Sequence, residues 1–312
     1  MNKKKKIFFH IGYPKTATIF LQKNFFSKAD EVNFFCRRFS NNDKKIFEII
    51  DEIISLNDIE FLKKKELFKI NFSKINFSES KINLISDQNI LCHKFRENNN
   101  IYKTLVRIKD IFKRNDVELV IFFSVREQRD AIISIYRQFY YSYFKKVLPE
   151  LNNIFNHPLN SEIYEILESL KYFKLLSFIK KNFGDKNVKI FSYELTKNEK
   201  ILYFSKICEF LNINKKIINN LILMDHTNKF LYKRVSLRKS IIFNLKNFEN
   251  LKKNFFKKIW NFLYFIIFEY IQGKLRLYKL SKIKFSKKNE KKILDFYKSD
   301  NLKLNNETNI IL

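Results

Sequence analysis

The stretch VELVIFFSVR, residues 117–126, restricts the fold of this chain more than any other. Leu119 to Phe123 are apolar without a polar alternation. A strand of that composition must be covered on both faces, the situation of a parallel sheet sandwiched between helices. Three more stretches read as strands: KIFFHIGY (6–13), INLISDQNIL (82–91), in which the strand ends near Ser86 and Asp87, and NVKIFSY (187–193). Between them lie segments with helical spacing, over 16–28, 43–75, 101–114, 128–146, 162–182 and 198–211. Regular alternation of this kind predicts an α/β fold, a central parallel sheet flanked by helices in three layers. Ligands of such a fold bind at the carboxyl ends of the strands.

Composition sets limits around that frame. Hydrophobic residues make up 46% of the 312 and aromatics 17%, which excludes a disordered chain. The net charge of +29 favours an anionic partner. Lys, Asn, Ile, Phe and Tyr also share A/T-rich codons, so the charge alone identifies no function. The lysines are dispersed and no nucleic-acid-binding module is recognisable, so nucleic acid is not the expected partner. Cys36, Cys92 and Cys208 lie far apart and in no metal-ligand spacing, which points to a reducing compartment, no disulfide framework and no metal. The basic start MNKKKKIFFHIGY runs into Pro14 and Lys15 with no small-residue cleavage site, so it reads as a first strand of a cytoplasmic protein rather than a leader.

Beyond residue 235 the alternation stops, dividing the chain into an α/β domain (1–235) and a basic helical C-terminal region (236–312). Residues 241–280 read as a long basic helix with Leu245, Phe248, Phe255, Ile259, Phe262 and Ile266 on one stripe. Its densest part is shorter than the roughly 20 apolar residues that span a bilayer. Three occupants suit the stripe: the α/β domain, a second subunit and an anionic membrane surface. Oligomeric state is not legible.

The chain holds three glycines and three prolines, and it places Gly12 and Pro14 immediately before Lys15 and Thr16. A strand, a turn and a helix start make an anion site, because the first N–H groups of the helix point outward without partners. Lys15 adds a mobile cation, and Thr16 and Thr18 add hydroxyl donors. The spacing is not that of the GxxxxGK[ST] loop of ATP-binding proteins.

HIGYPKTATIFLQ (10–22) and VREQRDAIISIYRQF (125–139) together resemble sulfotransferases that use 3′-phosphoadenosine-5′-phosphosulfate (PAPS), especially the bacterial and glycan-directed branches. The first stretch matches their H-I-G-x-P-K-T opening at His10, Gly12, Pro14, Lys15, Thr16, Thr18, Leu21 and Gln22. The second supplies Arg126, Ser134 and Tyr136 at the family's interval, with Gln128 as in bacterial members. SYELT around Tyr193 and Glu194, and FYKSDNLKL near the C-terminus, resemble later family elements, while 236–290 has no counterpart.

The resemblance implies a P-loop-like fold and PAPS as co-substrate, released as 3′-phosphoadenosine-5′-phosphate (PAP). Gly12, Pro14, Lys15, Thr16, Ala17, Thr18 and Ile19 would then surround the 5′-phosphosulfate, with Lys15 also catalytic, and Arg126 and Ser134 would hold the 3′-phosphate. The implied acceptor is a hydroxyl of a glycan or glycolipid, reached at the inner membrane face where the basic helix docks. Gln88 stands where relatives carry an acid, which leaves Asp87, His93 and His10 as candidate bases. Ala17 and Ile19 replace the family's Gly and its Thr or Ser. Two other classes stay open: a degenerate sulfotransferase-like protein that binds nucleotide or membrane without turnover, and a P-loop kinase or NTPase.

Overall fold

The computed structural model describes residues 5–13, 15–40, 44–92, 100–112, 116–159, 161–222 and 283–312. Pro14, His93 and the expected helix over 241–280 lie outside the described residues. Within them, β1 (Lys5–Ile11), β2 (Val32–Cys36), β3 (Ile82–Asp87), β4 (Val117–Val125) and β5 (Val188–Ser192) form one parallel sheet in the order β2-β3-β1-β4-β5. The helices are α1 (Thr18–Phe20), α2 (Lys45–Ser55), α3 (Asp58–Ser73), α4 (Asn89–Cys92), α5 (Ile101–Phe112) and α6 (Gln128–Phe139), then α7 (Lys145–Val147), α8 (Glu162–Ser169), α9 (Tyr172–Phe183), α10 (Leu195–Asn198), α11 (Lys200–Leu211) and α12 (Lys216–Ile222). A C-terminal helix spans Lys287–Thr308.

The three layers follow from the period of two along each strand. Phe9 of β1 meets Phe112 of α5 at 5.7 Å between ring centroids, and Tyr13 beyond it meets Tyr172 of α9 at 5.0 Å. Phe8 and His10 point the other way, Phe8 to Phe210 of α11 at 5.5 Å and His10 to Phe26 at 5.4 Å. Phe122 and Phe123 of β4 divide in the same manner, Phe122 to Phe210 and Phe123 to Tyr13. The apolar run is thus covered on both faces, as its composition requires.

Several elements differ from the sequence expectation; the helix expected over 128–146, for one, turns π-type over Tyr140–Phe144. The segment expected as one helix over 16–28 begins at Thr18, widens into π-type turns over Leu21–Phe25 and tightens over Phe26–Lys28. Phe25 and Phe26 are consecutive and both fully buried, one against Phe204 and the other against His10, and the irregular turn accommodates both. Strand β2, five residues at the sheet edge between charged flanks, has no counterpart in the sequence reading. The helix expected over 162–182 is two helices, broken at Leu170 and Lys171.

The C-terminal helix packs on the sheet domain through its YxxDNxxL pattern. Tyr297, Asp300 or Asn301, and Leu304 recur at i, i+3/4 and i+7, one helical face. Tyr297 Oη donates to the Leu167 carbonyl at 2.8 Å, and Leu304 is fully buried. The Asp300 carboxylate accepts from the Phe173 and Lys174 N–H groups at 2.9 and 3.1 Å, capping α9 from a distant helix. Asn301 and Gln128 exchange amide hydrogen bonds at 2.6 and 3.1 Å, anchoring the first residue of α6. No helix among the described residues is long and apolar enough to cross a membrane.

Candidate functional site

The strand order creates one switch point. From β1 the chain leaves toward β2 at one edge, and from β4 it leaves toward β5 at the other, so a crevice opens beyond the adjacent carboxyl ends of β1 and β4. The loop after β1 carries Lys15, and the residue after β4 is Arg126.

Gly12 is a steric necessity in the first loop. A Cβ there would stand 2.4 Å from Thr18 Oγ1 and 2.5 Å from its Cγ2, so only glycine lets the start of α1 fold back onto the end of β1. Lys15 (φ 69°) and Ala17 (φ 59°) are both left-handed, on either side of Thr16. Such a curl turns backbone N–H groups toward a common concavity, the geometry of an anion nest. Thr16 Oγ1 donates to the Tyr13 carbonyl at 2.8 Å and Thr18 Oγ1 to the same oxygen at 3.4 Å. Both hydroxyl protons therefore hold the loop's shape. Ile19 points outward and is 45% exposed.

Arg126 faces this loop from the neighbouring strand. Its Nη1 donates to the Lys15 carbonyl at 3.2 Å, its Nη2 lies 3.5 Å from Asp130 Oδ2, and the guanidinium stacks 5.0 Å from the Tyr193 ring centre. Nε is buried with no hydrogen-bond partner. A buried guanidinium N–H in that state is chemically incomplete, since unpaired buried donors are strongly disfavoured. The backbone is fixed as firmly: Tyr172 Oη donates to the Arg126 carbonyl at 2.8 Å, and Tyr193 N–H to the Val125 carbonyl at 2.7 Å. Glu127 caps α6 by accepting from the Arg129 and Asp130 N–H groups at 3.0 and 2.9 Å. Ser134, part-buried, lies two turns along α6 from Arg126.

The candidate bases fare differently. Asp87 closes β3 level with Ile11, is 1% exposed, and accepts from Arg37 Nε at 3.1 Å and Arg37 Nη2 at 2.7 Å, with the Asn89 N–H at 2.9 Å on Oδ1. Arg37 also grips Asp51 at 2.5 and 2.8 Å, and the two carboxylates hold its proton more tightly than an ordinary guanidinium's despite the opposing effect of burial. Asp87 is accordingly half of an ion pair that ties the ends of β2 and β3 to α2. His10 is fully buried, with Nδ1 2.7 Å from Ser86 Oγ and its ring stacked on Phe122 at 4.9 Å. Burial pushes its pKa down to about 3, so it is neutral and sealed from the crevice. Gln22 joins this network, donating to Ser86 Oγ at 3.0 Å. The His and Gln of the first motif are therefore internal struts.

Sequence reasoning missed Arg37, Asp130 and the stacking role of Tyr193. Arg37 follows the unrecognised β2, and nothing local marks it; Tyr193 was visible as the residue ending β5.

No family model matches the sequence, and no curated protein does. Among solved structures the chain is similar to a sulfotransferase from Alicyclobacillus acidocaldarius, at 16% identity over 68% of this chain and 82% of that one, with a TM-score of 0.40. It is also similar to the mouse sulfotransferase SULT7A1 complexed with PAP (18%, 69% and 62%, TM-score 0.35). A third is the sulfotransferase domain of the Synechococcus PCC 7002 olefin synthase (10%, 70% and 78%, TM-score 0.38). At such scores the function rests on this chain's own residues.

Proposed function

We propose that the chain is a sulfotransferase that moves the sulfuryl group of PAPS to a hydroxyl of a glycan or glycolipid. The observation that carries this reading is the hydrogen bond from Arg126 to the Lys15 carbonyl, which sets two cation-bearing loops on one crevice at the switch point. A doubly phosphorylated nucleotide suits two such loops. The curl around Lys15 and Ala17 takes the 5′-phosphosulfate, and Arg126, with its buried open Nε–H, takes the 3′-phosphate together with Ser134.

In the transfer, the acceptor oxygen forms a bond to sulfur as the bond from sulfur to the 5′-phosphate oxygen breaks. The hydroxyl proton passes to a base, and PAP leaves with the extra charge on its 5′-phosphate. Lys15 and the loop N–H groups stabilise that charge, and one such donor is worth roughly 10²–10³ in rate. In-line positioning supplies much of the remainder, as in phosphoryl transfer. Asp87 is engaged by Arg37 and His10 is buried, and His93, the third candidate base, lies outside the described residues. The glycan or glycolipid acceptor, the cytoplasmic site and a membrane contact through 241–280 belong to the same proposal and derive from the family resemblance.

Thermal melting tests the nucleotide part. Saturating PAP raises the melting temperature by several degrees, through linkage of binding to folding, while ATP with Mg²⁺ does so far less. No shift with PAP overturns the reading. A second reading, nucleotide binding without turnover, is favoured by Gln88 at the acid's place and by the engaged Asp87. Transfer of labelled sulfate to a panel of glycans and lipids separates the two.

A further inference from the structure

We propose that the outward face of α3 is a homodimer contact, on which a second copy of this chain packs its own α3 antiparallel across a two-fold axis; the proposal is independent of the nucleotide reading. Helix α3 is apolar on two opposite faces. Phe61, Phe68 and Phe72 share one face and are buried, Phe61 under the Arg107 guanidinium at 4.5 Å and Phe72 against Phe112 at 4.0 Å. Ile59, Leu62, Leu67 and Ile70 lie on the other side and are 68, 66, 53 and 52% exposed. No other element among the described residues carries more than two exposed large apolar side chains, so these four form a patch rather than a scatter. A helix that is apolar all round is ordinarily covered all round.

The order of residues on that face identifies the occupant. Ile59, Lys63, Glu66 and Ile70 follow at intervals of four, three and four, the seam of a two-helix contact, with Leu62 and Leu67 along its two edges. The seam reads the same in both directions apart from the exchange of Lys for Glu. Antiparallel packing about a centre between Lys64 and Lys65 sets Ile59 on Ile70 of the second copy and Lys63 on its Glu66, and the two-fold repeats each pair. Parallel packing would set Lys63 on Lys63 and Glu66 on Glu66, so the charges select the antiparallel arrangement. Glu66 is 75% exposed even while it holds Lys69 of its own helix at 2.7 Å, so its carboxylate has room for a second cation. The helix arrives preformed: Asn57 and Glu60 close a capping box at its start, and Lys65 ties it to Asp110 of α5 at 2.8 Å. Docking two such rigid helices costs little ordering. About four turns of helix make a small interface, so self-association is expected at about 10 µM.

Sedimentation velocity of the full chain over about 1–200 µM tests the contact, and the wild type dimerises within that range. Lys63→Glu and Glu66→Lys each bring like charges together twice per dimer and raise the dissociation constant by about tenfold or more. The double variant Lys63→Glu/Glu66→Lys exchanges the two charges and restores the wild-type constant to within about threefold. Both side chains are exposed, and unchanged far-ultraviolet circular dichroism shows that the variants fold. If the wild type stays monomeric throughout, or if the single variants dimerise as it does, the proposal fails. If the singles dissociate and the double variant does not recover, the antiparallel pairing is overturned. A monomer that Leu62→Asp releases from anionic vesicles would assign the face to a membrane surface, and cross-linking of α3 to 241–280 within one chain would assign it to that basic segment; either result overturns the second copy.

Discussion

Arg126 Nη1 donates to the carbonyl oxygen of Lys15 at 3.2 Å, joining loops 111 residues apart in the chain. The acceptor is backbone, so the join does not depend on the lysine side chain. Lys15→Ala and Arg126→Ala should therefore separate. On the proposed reading, Lys15→Ala lowers PAP affinity by about tenfold to a hundredfold, with stability changed by less than about 0.5 kcal/mol. Arg126→Ala lowers affinity at least as much and also destabilises by about 1–3 kcal/mol, because the Lys15 carbonyl and the Tyr193 ring lose their partner. Titration with PAP and urea unfolding, run on both variants, measure the pair of effects. Equal stability losses would show that the loops are held together some other way.

Two small residues of the same loop should respond in opposite directions. Gly12→Ala drives a methyl into Thr18, whose atoms lie 2.4–3.0 Å from the new Cβ, and costs about 1–3 kcal/mol as the start of α1 is displaced. Ala17 occupies φ 59° and ψ 17°, where an L-residue is strained by about 1–2 kcal/mol. Ala17→Gly removes that strain and adds unfolded-chain entropy worth about 0.4–1 kcal/mol, for a net gain of up to about 1.5 kcal/mol. Urea midpoints give both signs, and a destabilised Ala17→Gly would mean the left-handed turn is not where the strain resides.

The same loop shows what the sequence could convey. Strand, turn and helix start were legible because Gly12 and Pro14 punctuate an apolar run, and β4 because its run had no alternation. Motif spacing also picked out Lys15 and Arg126, which the structure joins by a hydrogen bond. What stayed hidden depended on pairings across the chain. Strand β2 is five residues long, and only its register with β3 distinguishes VNFFC from a loop. Arg37 meets Asp87 across 50 residues, and Asp300 caps α9 from more than 120 residues away. His10 looked like a candidate base because its position at the end of β1 was readable, while the direction of its side chain, into Phe26 and Phe122, was not.

Asp87 and Arg37 provide a test of role. If Asp87 is the structural partner that its contacts describe, Asp87→Asn lowers stability, since Arg37 loses the better-buried of its two carboxylates. Discounted for the quarter exposure of Arg37, the loss is about 1–3 kcal/mol. PAP affinity should stay within about twofold, because the carboxylate is engaged by Arg37 and the Asn89 N–H. Full retention of stability, with abolished sulfate transfer, would return Asp87 to the list of bases.

His10 gives the chain a signature in its pH dependence. The ring is neutral in the fold, with a pKa near 3, against 6.5 when burial is lifted. Between those values the unfolded chain binds the proton and the folded chain does not, so stability falls as pH is lowered through this window. One such group contributes a slope of up to about 1.4 kcal/mol per pH unit, and contributes nothing above about pH 7.5. His10→Gln removes the titration while leaving a polar group for Ser86 Oγ. Unfolding free energies measured at intervals from pH 7.5 to 4.5 should then decline less steeply in the variant than in the wild type. Parallel curves would mean that the imidazole is protonated in the fold, and that the packing of Phe26 and Phe122 around it is looser than their centroid distances of 5.4 and 4.9 Å imply.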